Sequence, residues 1–136
     1  MPGRPDADHR NLEVEQVESL QVKVKQAAEV PGDQVEVAGA SGVTIQWLIG
    51  KQDEPENFFM RLFELEVGGH TPHHSHPWEH EVFVLAGKGS VTTPQGEWTL
   101  EPQSAVYVPA GEEHQFRNVG SEPLRFICLV PTSADY

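Results

Sequence analysis

Apolar and polar residues alternate in short runs along most of the chain, the period-two pattern of half-buried strands rather than the 3.6-residue period of helices. The longest run, residues 58–67, is rich in Phe, Leu and Val and is closed by Gly68-Gly69. Leu20, Val22 and Val24 alternate with Gln21, Lys23 and Lys25 and predict a strand over 20–25. Residues 12–19 fit either a strand or one face of a helix carrying Leu12, Val17 and Leu20. Val35 and Val37 predict a short strand between turns at Pro31-Gly32-Asp33 and at 39–42, followed by a strand over 43–49 and a polar loop over 51–57. Further strands are predicted at 82–85, 90–93, 97–100, 105–108, 114–118 and 124–130. Turns at 87–89, 94–96, 109–111 and 120–123 separate them. Strands at this spacing, with almost no helical signal, predict an all-β sandwich or barrel. Residues 1–11 read as a loosely attached arm and 12–136 as one domain.

Composition narrows the class. At 136 residues the chain can bury one hydrophobic core, and 38% apolar against 22% charged residues fits neither wholesale disorder nor a membrane protein. Twenty-one acidic residues against nine Lys and Arg leave a net charge of −12, which repels phosphate backbones and anionic headgroups, so neither nucleic acid nor membrane is an expected partner. The single cysteine, Cys128, excludes an intramolecular disulfide. The start, Met1-Pro2-Gly3-Arg4-Pro5-Asp6, lacks the apolar stretch of a secretory signal, and a cytoplasmic location is expected.

Five of the seven histidines lie within residues 70–80, beside apolar strands. Residues two apart in an extended strand share a face, so His74 and His76 project together and can offer two imidazole nitrogens to one ion. His80 has the same parity beyond Pro77, while Glu81 has the opposite parity and competes for the role of ligand. Another imidazole, His114, follows the turn Pro109-Ala110-Gly111 at the start of a predicted strand. Arg61 sits mid-strand among Phe59, Phe63 and Leu65. It is either neutralised by a carboxylate or faces a cavity and holds an anionic group. Cys128 reads as a small buried hydrophobe or as a reactive thiol. Trp78 is placed at the mouth of the histidine segment as a lid or as packing, and Phe116 shares parity with His114.

These segments resemble the paired motifs of the cupin superfamily. The first, Gly-x5-His-x-His-x4-Glu-x5-Gly, matches Gly68, His74, His76, Glu81 and Gly87. The second, Gly-x5-Pro-x-Gly-x2-His-x3-Asn, matches Pro109, Gly111, His114 and Asn118, with Gln103 in place of its first glycine. The core motifs thus span 68–87 and 102–118. The run from His74 to Leu85 is further similar to small single-domain bacterial cupins with an all-histidine metal site, in which His80 replaces the glutamate. The resemblance implies a double-stranded β-helix, or jelly-roll barrel, and a metal held by His74, His76, His80 and His114. It also implies a pocket lined from the segments around Arg61 and Phe126.

Four neutral imidazoles leave the full charge of a divalent ion in place, which favours an anionic small-molecule substrate. Such a site suits manganese first by resemblance and then iron, with nickel, zinc and copper also compatible, at metal–nitrogen distances of about 2.0–2.3 Å. The expected function is a metal-dependent oxygenase-type enzyme with Arg61 and Cys128 in catalytic roles and Trp78, Phe116 and Phe126 around the substrate. The alternatives are a non-oxidative lyase or isomerase and a non-catalytic binding module. A homodimer paired through the strand at 20–25 is expected.

Overall fold

The computed structural model describes residues 21–134. β1 (Gly32–Gln34) and β2 (Ser41–Ile49) lead into β3 (Phe58–His70), and β4 (His80–Ala86), β5 (Gly89–Thr93) and β6 (Gly96–Leu100) follow. β7 (Ala105–Val108), β8 (Gln115–Asn118) and β9 (Leu124–Pro131) complete the order. All pairings are antiparallel, and the strands run β6-β5-β8-β3-β9-β4-β7, with β2 on β3 and β1 on β2. The result is a jelly-roll barrel, the fold class read from strand spacing and resemblance. Among the described residues no helix is long and apolar enough to cross a membrane.

β3 organises the barrel because it belongs to both halves. Its first eight residues pair with β9 and six of them, Met60–Leu65, also with β2, while His70 at its end pairs with Arg117 of β8. Gly68-Gly69 were expected to close this strand, yet the chain continues through them to His70. The register with β2 slips there, from Val43↔Leu65 to Ser41↔His70. A Cβ on Gly69 would stand 2.9 Å from the carbonyl oxygens of Glu66 and Ser41, so only glycine allows the strand to bend and still pair.

Alternation then fills the interior. His80, Val82 and Val84 of β4 point inward while Glu81, Phe83 and Leu85 point out. Leu124, Phe126, Cys128 and Val130 of β9 face the same interior and join Phe59, Leu65, Val91 and Phe116 in one core. Gly87 closes the β4–β5 turn at φ 89°, where a Cβ would meet the Pro123 carbonyl oxygen at 2.4 Å. Gln103, at the position of the missing motif glycine, still adopts φ 76° and donates its N–H to the Val84 carbonyl.

Two expected strands are corrected. Residues 21–26 form no strand (Leu20 and the ambiguous 12–19 lie outside the described residues). The lysines, not the valines, face the barrel there. Lys25 Nζ lies 2.7 Å from Asp53 Oδ2 and Lys23 Nζ 2.8 Å from the Asp53 carbonyl oxygen, which leaves Val22 91% and Val24 84% exposed. Buried Asp53 is the anchor: burial pushes its carboxyl up, but hydrogen bonds from Lys25 and the Gly50 N–H outweigh it and hold the group below its usual range. The short strand placed around Val35 and Val37 is instead β1, within the expected turn, because Gly32–Gln34 pair with Thr44–Gln46 before the chain folds over the barrel mouth.

Candidate metal centre

The loop between β3 and β4 and the start of β8 meet at one point. His74 and His114 form an isolated bridge, with His74 N–H to His114 O at 3.2 Å and His114 N–H to His74 O at 2.9 Å. The loop after β7 is held from the same side, since Gly111 N–H donates to the His76 carbonyl at 2.6 Å. Two sequence-distant segments are thereby locked in register, and their imidazoles converge. One nitrogen each of His74, His76 and His114 lies within 4.8 Å of the others, a spacing one first-row ion can bridge. His80 comes from β4, its ring 4.9 Å from that of His76 and 5.2 Å from that of His114. Glu81, its rival in sequence, points outward and is exposed. His73 is exposed, and His70 lies 3.4 Å from Gln115 Nε2, outside the cluster.

The donor chemistry fits a cation. Burial, then the neighbouring imidazoles and Arg61, pushes His74 down to about 4. Burial, then Arg61 and the other imidazoles, pushes His80 down to about 3. Burial also lowers His76, and lowers His114 against the opposing pull of the Glu112 carbonyl and the Glu112 and Glu113 charges. All four rings are therefore neutral at neutral pH, with lone pairs to offer. His114 Nδ1 donates to the Glu112 carbonyl at 2.8 Å, which fixes its tautomer and frees Nε2. His80 Nε2 is buried and has no hydrogen-bonding partner among the described residues, which is costly for a polar atom unless an ion takes it.

The cluster forms one wall of a cavity of about 520 Å³. Arg61 and Cys128 both line it, paired across the β3–β9 ladder and each only 4% exposed. Arg61 Nη2 donates to Cys128 Sγ at 3.0 Å, and its guanidinium lies over Phe63 (5.0 Å) and Trp47 (5.5 Å). Burial pushes the Cys128 thiol up, against the pull of Arg61. Phe116 and Phe126 line the cavity, with ring centroids 5.1 Å apart. Trp78 does not line it. Its ring stacks on that of His76, with centroids 5.0 Å apart and planes 3° from parallel. Sequence reasoning missed Trp47 and the segment 35–40 as parts of the cavity wall. The shared parity of Val43, Ile45 and Trp47 was a readable signal for the first, whereas the loop's fold over the mouth has no local signature.

Imidazoles delivered by two separated motifs into the mouth of a jelly-roll barrel define a small-ligand or metal-binding barrel of the cupin kind. The chain belongs to that family: residues 61–130 match the Cupin domain model. The polyketide cyclase RemF from Streptomyces resistomycificus is 30% identical, with a TM-score of 0.79 over 85% of this chain and 83% of that one. A cupin-2 domain protein from Rhodospirillum rubrum superposes with a TM-score of 0.70 at 27% identity over 85% of this chain and 78% of that one. A 1-methylthio-D-xylulose 5-phosphate methylsulfurylase, also from Rhodospirillum rubrum, is 33% identical over 56% of this chain, which spans about half (49%) of that protein's length.

Proposed function

We propose that the chain is a metal-dependent enzyme that rearranges a small, largely apolar organic substrate bearing a carbonyl or enolate oxygen, a reaction of the cyclase, lyase or isomerase type. The observation that carries this reading is the cavity wall: imidazoles on one side, mostly aromatic and aliphatic side chains with Arg61, Cys128 and Thr71 on the rest, and no carboxylate among the described lining residues. A divalent transition ion held by His74, His76, His80 and His114, manganese favoured and then iron, would supply Lewis-acid polarisation of a substrate oxygen. Trp47, Phe63, Phe116 and Phe126 bind a flat apolar body and exclude water around it. Arg61 donates to a second substrate oxygen and stabilises negative charge there.

Likeness to the polyketide cyclase supports a cyclisation of a polyketide-like compound. The sugar-phosphate enzyme among the relatives supports a different substrate, but this cavity offers a polyhydroxylated phosphate few hydroxyl partners beyond Thr71. The test is anaerobic and aerobic turnover of a panel of poly-β-carbonyl compounds, phenols and enols by manganese- and iron-loaded protein. Ring closure or isomerisation without oxygen uptake supports the proposal. Product formation coupled to oxygen uptake would establish the oxygenase expected from sequence in its place, and saturable binding with no turnover would establish a binding module.

A further inference from the structure

We propose that Cys128 is a positioning residue for His80: its sulfur accepts the Nδ1–H of that ring and so presents Nε2 to a metal ion. The inference rests on the metal-site reading above. Strand register builds the contact. Arg61, Cys128 and Val82 are successive partners across β3, β9 and β4, and His80 lies two residues before Val82 on the same inward face. Cys128 Sγ is therefore 3.5 Å from His80 Nδ1, and Arg61 Nη2 is 3.0 Å from Sγ and 3.5 Å from Nδ1. Among the described residues these are the two groups within hydrogen-bonding reach of Nδ1.

The tautomer follows from what each group can do. Arg61 only donates. If Nδ1 accepted from Arg61, the ring proton would sit on Nε2, which is buried without an acceptor and would be barred from ligation. The second N–H of Arg61 Nη2 or the thiol S–H donating to Nδ1 would likewise put the ring proton on Nε2, so with Nε2 free for ligation it is Nδ1–H that donates to the sulfur. Cys128 thus does for His80 what the Glu112 carbonyl does for His114, and what carboxylates and carbonyls do behind other metal-binding histidines. Arg61, with its guanidinium held over Phe63 and Trp47, keeps the sulfur aimed at the ring.

The test compares wild type, Cys128→Ser, which keeps an acceptor, and Cys128→Val, which fills the space without one. Zinc affinity is measured by competition with a chromophoric chelator, and the tautomer of His80 by nitrogen-15 NMR with and without zinc. Cys128→Val should weaken zinc binding by about 10–100-fold, the usual effect of losing such a partner, while Cys128→Ser stays near wild type. His80 should carry its proton on Nδ1 in wild type and Cys128→Ser and lose that preference in Cys128→Val. Unchanged affinity and tautomer in Cys128→Val would overturn the inference, as would a sulfur-to-metal charge-transfer band in the cobalt form, which would make Cys128 itself a ligand. If wild type and His76→Ala bind zinc equally poorly, the metal reading fails. The metal-free tautomer of His80 in Cys128→Val then decides the inference alone, a shift supporting it and no shift refuting it.

Discussion

Arg61 and Cys128 face each other across the β3–β9 ladder, joined by a 3.0 Å hydrogen bond from Nη2 to Sγ inside the cavity that the histidines wall. A buried guanidinium is retained only where its charge is used or matched, since taking it out of water costs several kcal/mol. Here aromatic faces and a polarisable sulfur surround it, beside neutral imidazoles. Replacing Arg61 with Ala should leave the fold intact yet weaken binding of an anionic substrate analogue by about 1.5–3 kcal/mol, the worth of a charged hydrogen bond. Calorimetric titration of the metal-loaded variant checks this, and unchanged affinity would make Arg61 structural.

Protein purified without chelator should carry about one transition metal per chain, because His74, His76 and His114 already lie within one ion's reach. Elemental analysis should find that His76→Ala loses the metal and Glu81→Ala keeps it, since Glu81 points away from the cluster. Metal loss in Glu81→Ala would reverse the choice between His80 and Glu81.

The metal-free protein should lose stability as pH falls below 6.5. Burial holds His74 near 4 and His80 near 3 in the folded state, whereas in the unfolded chain both titrate around the ordinary value of 6.5. Between those values the unfolded chain binds protons that the folded state refuses, so stability is complete above 6.5 and drains away toward pH 4 and below. Thermal melts of wild type should show this fall, and His80→Phe should flatten part of it. A melting temperature independent of pH from 7 to 4 would refute the neutral cluster.

Gln103→Gly should stabilise the protein by about 0.5–1 kcal/mol, because a side chain at positive φ is strained by more than glycine's extra unfolded freedom costs. Denaturant unfolding reads the difference directly. A destabilised variant would mean that the glutamine side chain has an anchoring role of its own.

We also propose that the protein is a homodimer whose subunits meet at residues 21–26. Val22 and Val24 turn outward because Lys23 and Lys25 are tied to Asp53, so a partner could cover both valines without disturbing the barrel. Sedimentation at micromolar concentration should give a dimer, and Val22→Asp with Val24→Asp should shift it toward monomer. A wild-type monomer would refute the proposal.

Period-two alternation was enough to place most strands, because strands such as β4 and β9 bury one face and parity records which. The opposite directions of His80 and Glu81 were readable on the same ground: β4 carries Val82 and Val84 inward, and His80 shares their parity. Alternation failed at residues 21–26, where Lys25 pairs with the buried Asp53 carboxylate and Lys23 bonds its carbonyl, contacts to a residue 28 or more positions away that no local pattern announces. The histidine spacing and Gly87 were local features, legible as motif and turn, whereas Gly68-Gly69 read as the end of a strand that continues through them. That His74 and His114 share a bridge and that Cys128 reaches His80 depended on three-dimensional register. The first arises where the β3–β4 loop meets the start of β8 and the second where β3, β9 and β4 align, since hydrogen bonds between segments set which side chains meet, and sequence separation carries no trace of it.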